Sequence, residues 1–417
     1  MTNTSSGRRD SGGREFELIV FGATSFVGKL VCDYLVNEQQ EPGLKWAMAA
    51  RSQTKLKRLQ LELGEGAQSI PLLQADSLVE ADMRALCARA ALIISTVGPY
   101  ALYGELLVKQ CAETGTDYCD LTGEPQWIRR MLDKFESTAA ATGARIVHCC
   151  GFDSIPSDLG VKFLQDQAMV QFGSYCSKIK MRVKSSRGGA SGGTIASGIN
   201  VYKEAAQDPE LRSELADPYS LCPVGHDFSA RQHEVSVEYD QDFESWAGPF
   251  IMAAINTKVV LRSNALHTPR YHNELLYDEA TLTGDGDEGK RRARRLARAL
   301  KLGSAVMIIP PLRWLASRLF LPNPGAGPSP QEQQEGFYDL RFKGRTDAGE
   351  EITVKVSGDR DPGYGSTSRM LAQAGISLCR EVHREEKGGG FWTPATVFDQ
   401  RLLDRLQTHA GLEFKVL

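Results

Sequence analysis

A chain of 417 residues exceeds the size at which single hydrophobic cores stop growing, so two domains are expected. Its 41% apolar and 24% charged residues are ordinary for a globular protein, and a net charge of −3 gives no reason to expect a nucleic-acid partner. The nine cysteines are scattered without a C-x-x-C pair, adjacent Cys149 and Cys150 cannot easily bridge each other, and the seven histidines form no cluster. That pattern predicts a reducing, cytoplasmic setting with neither structural disulfides nor a bound metal.

Residues 1–14 are polar and rich in Gly and Ser, without the apolar core of a secretory signal, and are expected to form a disordered tail. Next comes a short apolar run, Phe16 to Phe21, a glycine turn, and a segment with Leu30, Val31, Tyr34 and Leu35 apolar. This is the strand, turn and helix of a dinucleotide site. Gly22 permits the tight turn and Gly28 lets the helix approach the strand, while Thr24, Ser25, Phe26 and Val27 bring backbone N–H groups to a pyrophosphate. Ser25 stands where a middle glycine is common, and its Cβ is expected to shift the cofactor slightly.

The second strand, Trp46 to Ala50, ends at Arg51 and Ser52. An acid there would suit the ribose 2′-hydroxyl of NAD, whereas Arg51 suits the 2′-phosphate of NADP, with Ser52 adding a hydroxyl and Lys55 and Arg58 positive field. Asp76 ends the strand after Ile70 and either faces the adenine or caps the helix that follows. Ala91 to Ser95 is a buried strand leaving the sheet through Thr96, Val97 and Gly98, small residues over which a nicotinamide ribose would pass. Helices over 104–114 and 126–141 and strands over 117–121 and 144–150 complete a βα alternation, which implies a Rossmann-type doubly wound parallel sheet over 15–155.

After Asp158 the pattern changes. Lys178 to Lys184 alternates apolar and basic residues, as in a strand with one wet face. Phe337 to Phe342 and Glu351 to Val356 alternate around the turn Thr346-Asp347-Ala348-Gly349 and predict a β-hairpin. A second α+β domain on a mostly antiparallel or mixed sheet is therefore expected over 156–362, with a C-terminal segment, 363–417, returning to the first domain. Within 290–321, a run with seven basic residues in Lys290 to Lys301 precedes an apolar stretch holding Met307, Ile308, Ile309, Trp314 and Phe320. The stretch is too short to span a bilayer. It reads either as a peripheral anchor on anionic lipid or as a solvated basic face packed on the second domain. Pro322 to Pro330 reads as a loop.

The motifs Gly22 to Lys29, Ala50-Arg51-Ser52, Thr96 to Tyr100, Asp117 to Glu124, Cys150 to Asp158, Ser191 to Thr194, Arg262 to Leu266, Asp361 to Tyr364 and Thr393-Pro394-Ala395 occur in an order similar to that of the saccharopine dehydrogenase-like oxidoreductases. The branch they resemble is that of the trans-acting enoyl reductases of glycolipid synthesis. The resemblance runs from about Phe16 to Phe414. It implies a Rossmann domain, a substrate domain on a mixed sheet, and no particular commitment to saccharopine. Asp120 and Cys150 stand where the wider family has an active-site Asp and Cys.

No Tyr is followed by Lys four residues later, so the short-chain dehydrogenase dyad is absent. The proton donor is then expected at the C-terminal ends of the strands, and the candidates are Tyr100, Tyr103, Asp120 and Asp153, with Glu124 beside them. Asp120 and Asp153 also fit as helix caps, Tyr103 as packing, and Cys150 as a small buried residue. The reading is an NADP(H)-dependent oxidoreductase reducing a lipid-like or acyl substrate. The alternatives are a membrane-associated NADP-binding protein of little activity and an amino-acid dehydrogenase of the saccharopine type. A homodimer is left open.

Overall fold

The structure, a computed structural model, describes residues 13–39, 41–188, 192–309 and 327–417. The tail up to residue 12, Ser191, and the apolar segment 310–326 with Trp314 and Phe320 lie outside the described residues.

The first sheet contains β1 (Phe16–Phe21), β2 (Trp46–Ala50), β3 (Leu72–Gln74), β4 (Ala90–Ser95), β5 (Asp117–Asp120) and β6 (Arg145–Val147). A seventh strand, from the C-terminal segment, joins at its edge. Leu18, Ile19 and Val20 are buried on both faces of β1, which is why this strand reads as a continuous apolar run. The strands pair in parallel, with β1 central between β4 and β2. Strand order reverses there, so the crevice over the β1 and β4 ends is the topological switch point at which such sheets bind ligands.

The second sheet holds β7 (Lys178–Arg187), β8 (Glu238–Asp240), β9 (Ser245–Pro249), β10 (Leu276–Gly284), β11 (Phe337–Arg345) and β12 (Glu351–Gly358). β7 and β10 are parallel and the remaining pairs antiparallel, which makes the sheet mixed. β11 and β12 form the expected hairpin. The inner face packs on the helix Ile155–Phe172 so closely that a Cβ at Gly160 would lie 2.5 Å from the Phe342 ring. The other face of β7 is not uniformly wet. Arg182 is fully buried, with Nε 2.6 Å from Asp240 Oδ2 and Nη1 2.5 Å from Asp278 Oδ1. Two carboxylates compensate the desolvated cation.

The C-terminal segment serves both sheets. The helix Thr367–Arg380 packs against β1, β4 and β5. β13 (Gly390–Trp392) pairs with β6 as the seventh parallel strand. β14 (Leu412–Val416) pairs with β12 and so lies in the second sheet, not the first. Arg14, read as part of the tail, is pinned by Ala90 O and Thr114 O at 2.7 Å each. The basic run and the first apolar residues after it form one helix, Gly286–Ile308, with Ala293 and Ala297 buried. Among the described residues no helix is long and apolar enough to cross a membrane.

Candidate active site

The glycine turn is built by contacts that leave no room for side chains. Gly22 has φ +85°, a region glycine tolerates at no steric cost, and a Cβ there would meet Thr96 Oγ1 and Val97 Cγ2 at 2.7 Å. A Cβ at Gly28 would lie 2.1 Å from Gly22 O. Thr96 Oγ1 donates to Gly22 O at 3.0 Å and lies 3.0 Å from Ser25 Oγ, so the end of β4 clasps the turn. Ser25 caps the helix Phe26–Asp33 by accepting from Gly28 N at 2.9 Å. The amide of Gly28 is thereby spent. Those of Thr24, Phe26 and Val27 have no acceptor among the described residues. Three free N–H groups at a helix N-terminus are a fitting cradle for a pyrophosphate. Val27 itself is buried, and the Phe26 ring packs edge-on against Tyr364, 5.1 Å between centroids.

At the end of β2 the Arg51 guanidinium is exposed and without an acceptor among the described residues. Ser52 accepts from Lys55 N at 3.4 Å as the cap of the next helix, which leaves its proton to donate. Arg58 is held by Glu62 at 2.8 Å. Asp76 Oδ1 accepts from Leu78 N at 3.0 Å in a local turn; it does not cap the helix Glu80–Arg89, whose N-cap is Val79 without a side-chain bond. Val97 is half-buried and Gly98 exposed at the end of β4.

Two of the four proton-donor candidates turn away from the crevice. Tyr100 is buried, its hydroxyl donating to Ser95 O at 2.9 Å, and burial with the nearby Asp120 charge pushes its pKa well up. Asp120 is fully buried in a satisfied network: it accepts from Tyr118 Oη at 2.9 Å, Thr122 N at 3.1 Å and Cys149 N at 3.2 Å, and lies 2.7 Å from His148 Nδ1. Cys149 takes a left-handed conformation, φ 62°, that brings its amide there. Both residues brace the strand ends. Cys150 is buried, its thiol pKa raised by desolvation, as expected of a packing residue. Glu124 is buried and caps the short helix Tyr100–Tyr103 by accepting from Tyr100 N at 2.8 Å and Ala101 N at 3.0 Å.

The other two candidates stay at the crevice. Tyr103 is half-buried, with no hydrogen bond to its hydroxyl among the described residues. Asp153 is half-buried in the loop after β6, with Oδ2 3.3 Å from where a Gly123 Cβ would stand, above the end of β5. Its carboxyl has no hydrogen-bond donor among the described residues. Desolvation, and then the charge of Glu279, push its pKa to about 7. The loop is clamped on both sides: Phe152 stacks edge-on with Tyr338 of β11, 5.0 Å between centroids, and its amide donates to Thr367 Oγ1 at 3.0 Å. Glu279, on the inner face of the nine-residue β10, is buried although it stands beside Asp278, and adjacent acids in a strand read as solvent-facing in the sequence. Among the described residues no group of three or more His, Cys, Asp or Glu is placed to hold a metal ion.

Sheet order, glycine turn and open phosphate cradle define a Rossmann-type dinucleotide-dependent oxidoreductase. Residues 18–147 match the saccharopine dehydrogenase NADP-binding domain family. A Mycobacterium tuberculosis protein with a provisional trans-acting enoyl reductase name is 37% identical over 417 residues, covering 94% of this chain and 96% of that protein. The trans-acting enoyl reductase of Mycobacterium ulcerans is 34% identical over 408 residues, again covering 94% and 96%. Saccharopine dehydrogenase (L-Glu forming) from Saccharomyces cerevisiae shares the fold, with a TM-score of 0.53 at 13% identity, over 96% of this chain and 100% of that one. The chain belongs to the saccharopine dehydrogenase-like oxidoreductases, in the branch of the trans-acting enoyl reductases, and its cofactor is NADP(H).

Proposed function

We propose that the protein reduces the carbon–carbon double bond of a lipid-like acyl substrate, with Asp153 as the proton donor. The observation that carries this reading is the Asp153 carboxyl: at the C-terminal end of the first sheet, free of hydrogen-bond donors among the described residues, and protonated up to about pH 7. A carboxylic acid with its pKa near the working pH is matched to proton donation. The names of the relatives supply the enoyl chemistry.

NADPH, when bound, supplies a hydride to the β-carbon of the conjugated double bond. The Thr24, Phe26 and Val27 amides would hold the pyrophosphate, and Arg51 with Ser52 would hold the 2′-phosphate. Asp153 gives its proton to the α-carbon as the double bond becomes single, so two electrons and two hydrogens enter the substrate. Tyr100, Asp120 and Glu124 keep the strand ends and the short helix in place. The test is NADPH consumption with trans-2-octenoyl thioester as the probe. Wild-type turnover lost in Asp153→Asn supports the reading, and full activity in that variant refutes it.

The helix Gly286–Ile308 supports a peripheral membrane contact that brings the crevice to its lipid. Its exposed face carries Arg291, Arg292, Arg294, Arg295 and Arg298, opposite Ala293 and Ala297. Such a face is attracted to an anionic surface.

A further inference from the structure

We infer that residues 327–336, the segment that leads into β11 of the second sheet, form a clasp on the cofactor turn, with the Phe26 ring as the positioning group; the inference rests on the reading of the Phe26 amide as a pyrophosphate ligand. Gly327 lies against that ring: a Cβ there would stand 2.4 Å from Phe26 Cε1 and Cζ, a separation at which something must shift. The ring has little room to yield, because it also packs edge-on against Tyr364, 5.1 Å between centroids, and Tyr364 is 1% exposed. Phe26 opens the helix Phe26–Asp33, so the held ring and the free amide belong to one residue at the helix N-terminus. A donor held in place before the anion arrives binds it more tightly than one that must first be ordered.

The segment is itself firmly held. Pro328 and Pro330 limit its backbone freedom. Gln333 Nε2 donates to Pro328 O at 2.9 Å, one residue from Gly327. Ser329 and Glu332 form a capping box on the helix Pro330–Glu335: Glu332 N donates to Ser329 Oγ at 3.3 Å and Ser329 N to Glu332 Oε2 at 2.8 Å. Glu335 pairs with Arg187, at the end of β7, at 2.8 Å. Asp361 N donates to Gln333 O at 3.0 Å, and Gly336 is packed so closely that a Cβ there would stand 2.3 Å from Asp361 N. Asp361 is fully buried, and its carboxylate also takes the amides of Tyr364 and Gly365. The turn that anchors the segment is therefore the turn that presents Tyr364 to Phe26. The residues before β11 and those after β12 meet beside the cofactor turn, and the hairpin between them ties both to the second sheet.

The experiment is stopped-flow release of NADPH from the full-length protein, chased with excess NADP+ and followed by nicotinamide fluorescence, with the affinity for 2′-AMP measured by calorimetry. Gly327→Val should speed NADPH release about tenfold, because the added side chain drives the ring, and with it the amide, out of place. Phe26→Ala removes the ring and keeps the amide, and in that background Gly327→Val should change release by less than about twofold. 2′-AMP carries the 2′-phosphate without a pyrophosphate and should bind all these proteins alike, which a general loosening of the fold would not allow. Unchanged release in Gly327→Val, an equal effect with and without the Phe26 ring, or a parallel loss of 2′-AMP binding overturns the inference. Gly327 is exposed in a loop, and the thermal midpoint checks that the variant folds. If it does not fold, Gln333→Ala takes its place: it frees Pro328 O and should also speed NADPH release, and unchanged release there overturns the inference. Failure of the pyrophosphate reading is separate: Gly28→Val would then bind NADPH as wild type does.

Discussion

Replacement of Arg51 by Ala tests the origin of cofactor choice. The guanidinium is exposed and makes no ion pair among the described residues, so its removal leaves no buried partner unsatisfied and should not change folding stability. What is lost is a charge-assisted contact to the 2′-phosphate. Such contacts contribute about 1.5–3 kcal/mol, and solvent exposure puts this one at the lower end, about 1.5–2 kcal/mol. That is a rise of roughly 10- to 30-fold in the NADPH Kd. NADH lacks the phosphate, and its Kd should stay within about twofold, because no other contact changes. Titration of nicotinamide fluorescence with both cofactors, on both proteins, at low and high salt, measures this. The NADPH preference should shrink with salt, since the contact is open to solvent. Equal wild-type affinities for NADPH and NADH would refute the reasoning.

Gly28→Val places a side chain against Gly22 O, 2.1 Å from the added Cβ, so NADPH binding should be lost in fluorescence titration and the thermal midpoint lowered. Arg145→Ala leaves the buried Asp117 carboxylate without the guanidinium whose Nε stands 3.1 Å away, and should cost about 3–5 kcal/mol in urea unfolding. Asp153 has its pKa raised from 3.8 to about 7, so its share of stability is present below the lower value and is lost as pH rises through the upper one. Thermal melts of Asp153→Asn should therefore gain on wild type between about pH 4 and about pH 7, and a constant difference would contradict the assignment. Glu at Arg291, Arg294, Arg295 and Arg298 should abolish cosedimentation with anionic vesicles, since each basic residue near the surface contributes on the order of 1 kcal/mol; equal binding of both proteins would remove the membrane contact.

What the sequence revealed was the periodic part. β1 and β4 are buried on both faces, so their apolar runs were visible, and the hairpin β11–β12 alternates with its turn in place. Gly22, Gly28 and Arg51 were legible because their features are local, a turn, a close approach and a free cation, whereas the clasp of Thr96 on the glycine turn spans 74 residues and was not. The proton-donor candidates were not separable, because the distinction is tertiary. Asp120 and Asp153 both follow strand ends, yet His148, Tyr118 and two amides saturate one, and nothing among the described residues donates to the other. The buried Arg182 was misread as wet because its partners, Asp240 and Asp278, come from strands 58 and 96 residues away.

The path of the C-terminal segment explains how two sheets can share one site. From the turn capped by Asp361, whose carboxylate takes the amides of Tyr364 and Gly365 at 3.0 and 2.8 Å, the chain crosses under the first sheet. It contributes β13 there and then returns to contribute β14 to the second. Tyr364 meets Phe26 at the cofactor turn, and Thr367 holds the amide of Phe152 beside Asp153. A rigid-body shift of one sheet against the other would therefore have to break ladders at both ends of this segment. The placement of the Asp153 loop against the second sheet is fixed by the same strands that complete the two sheets.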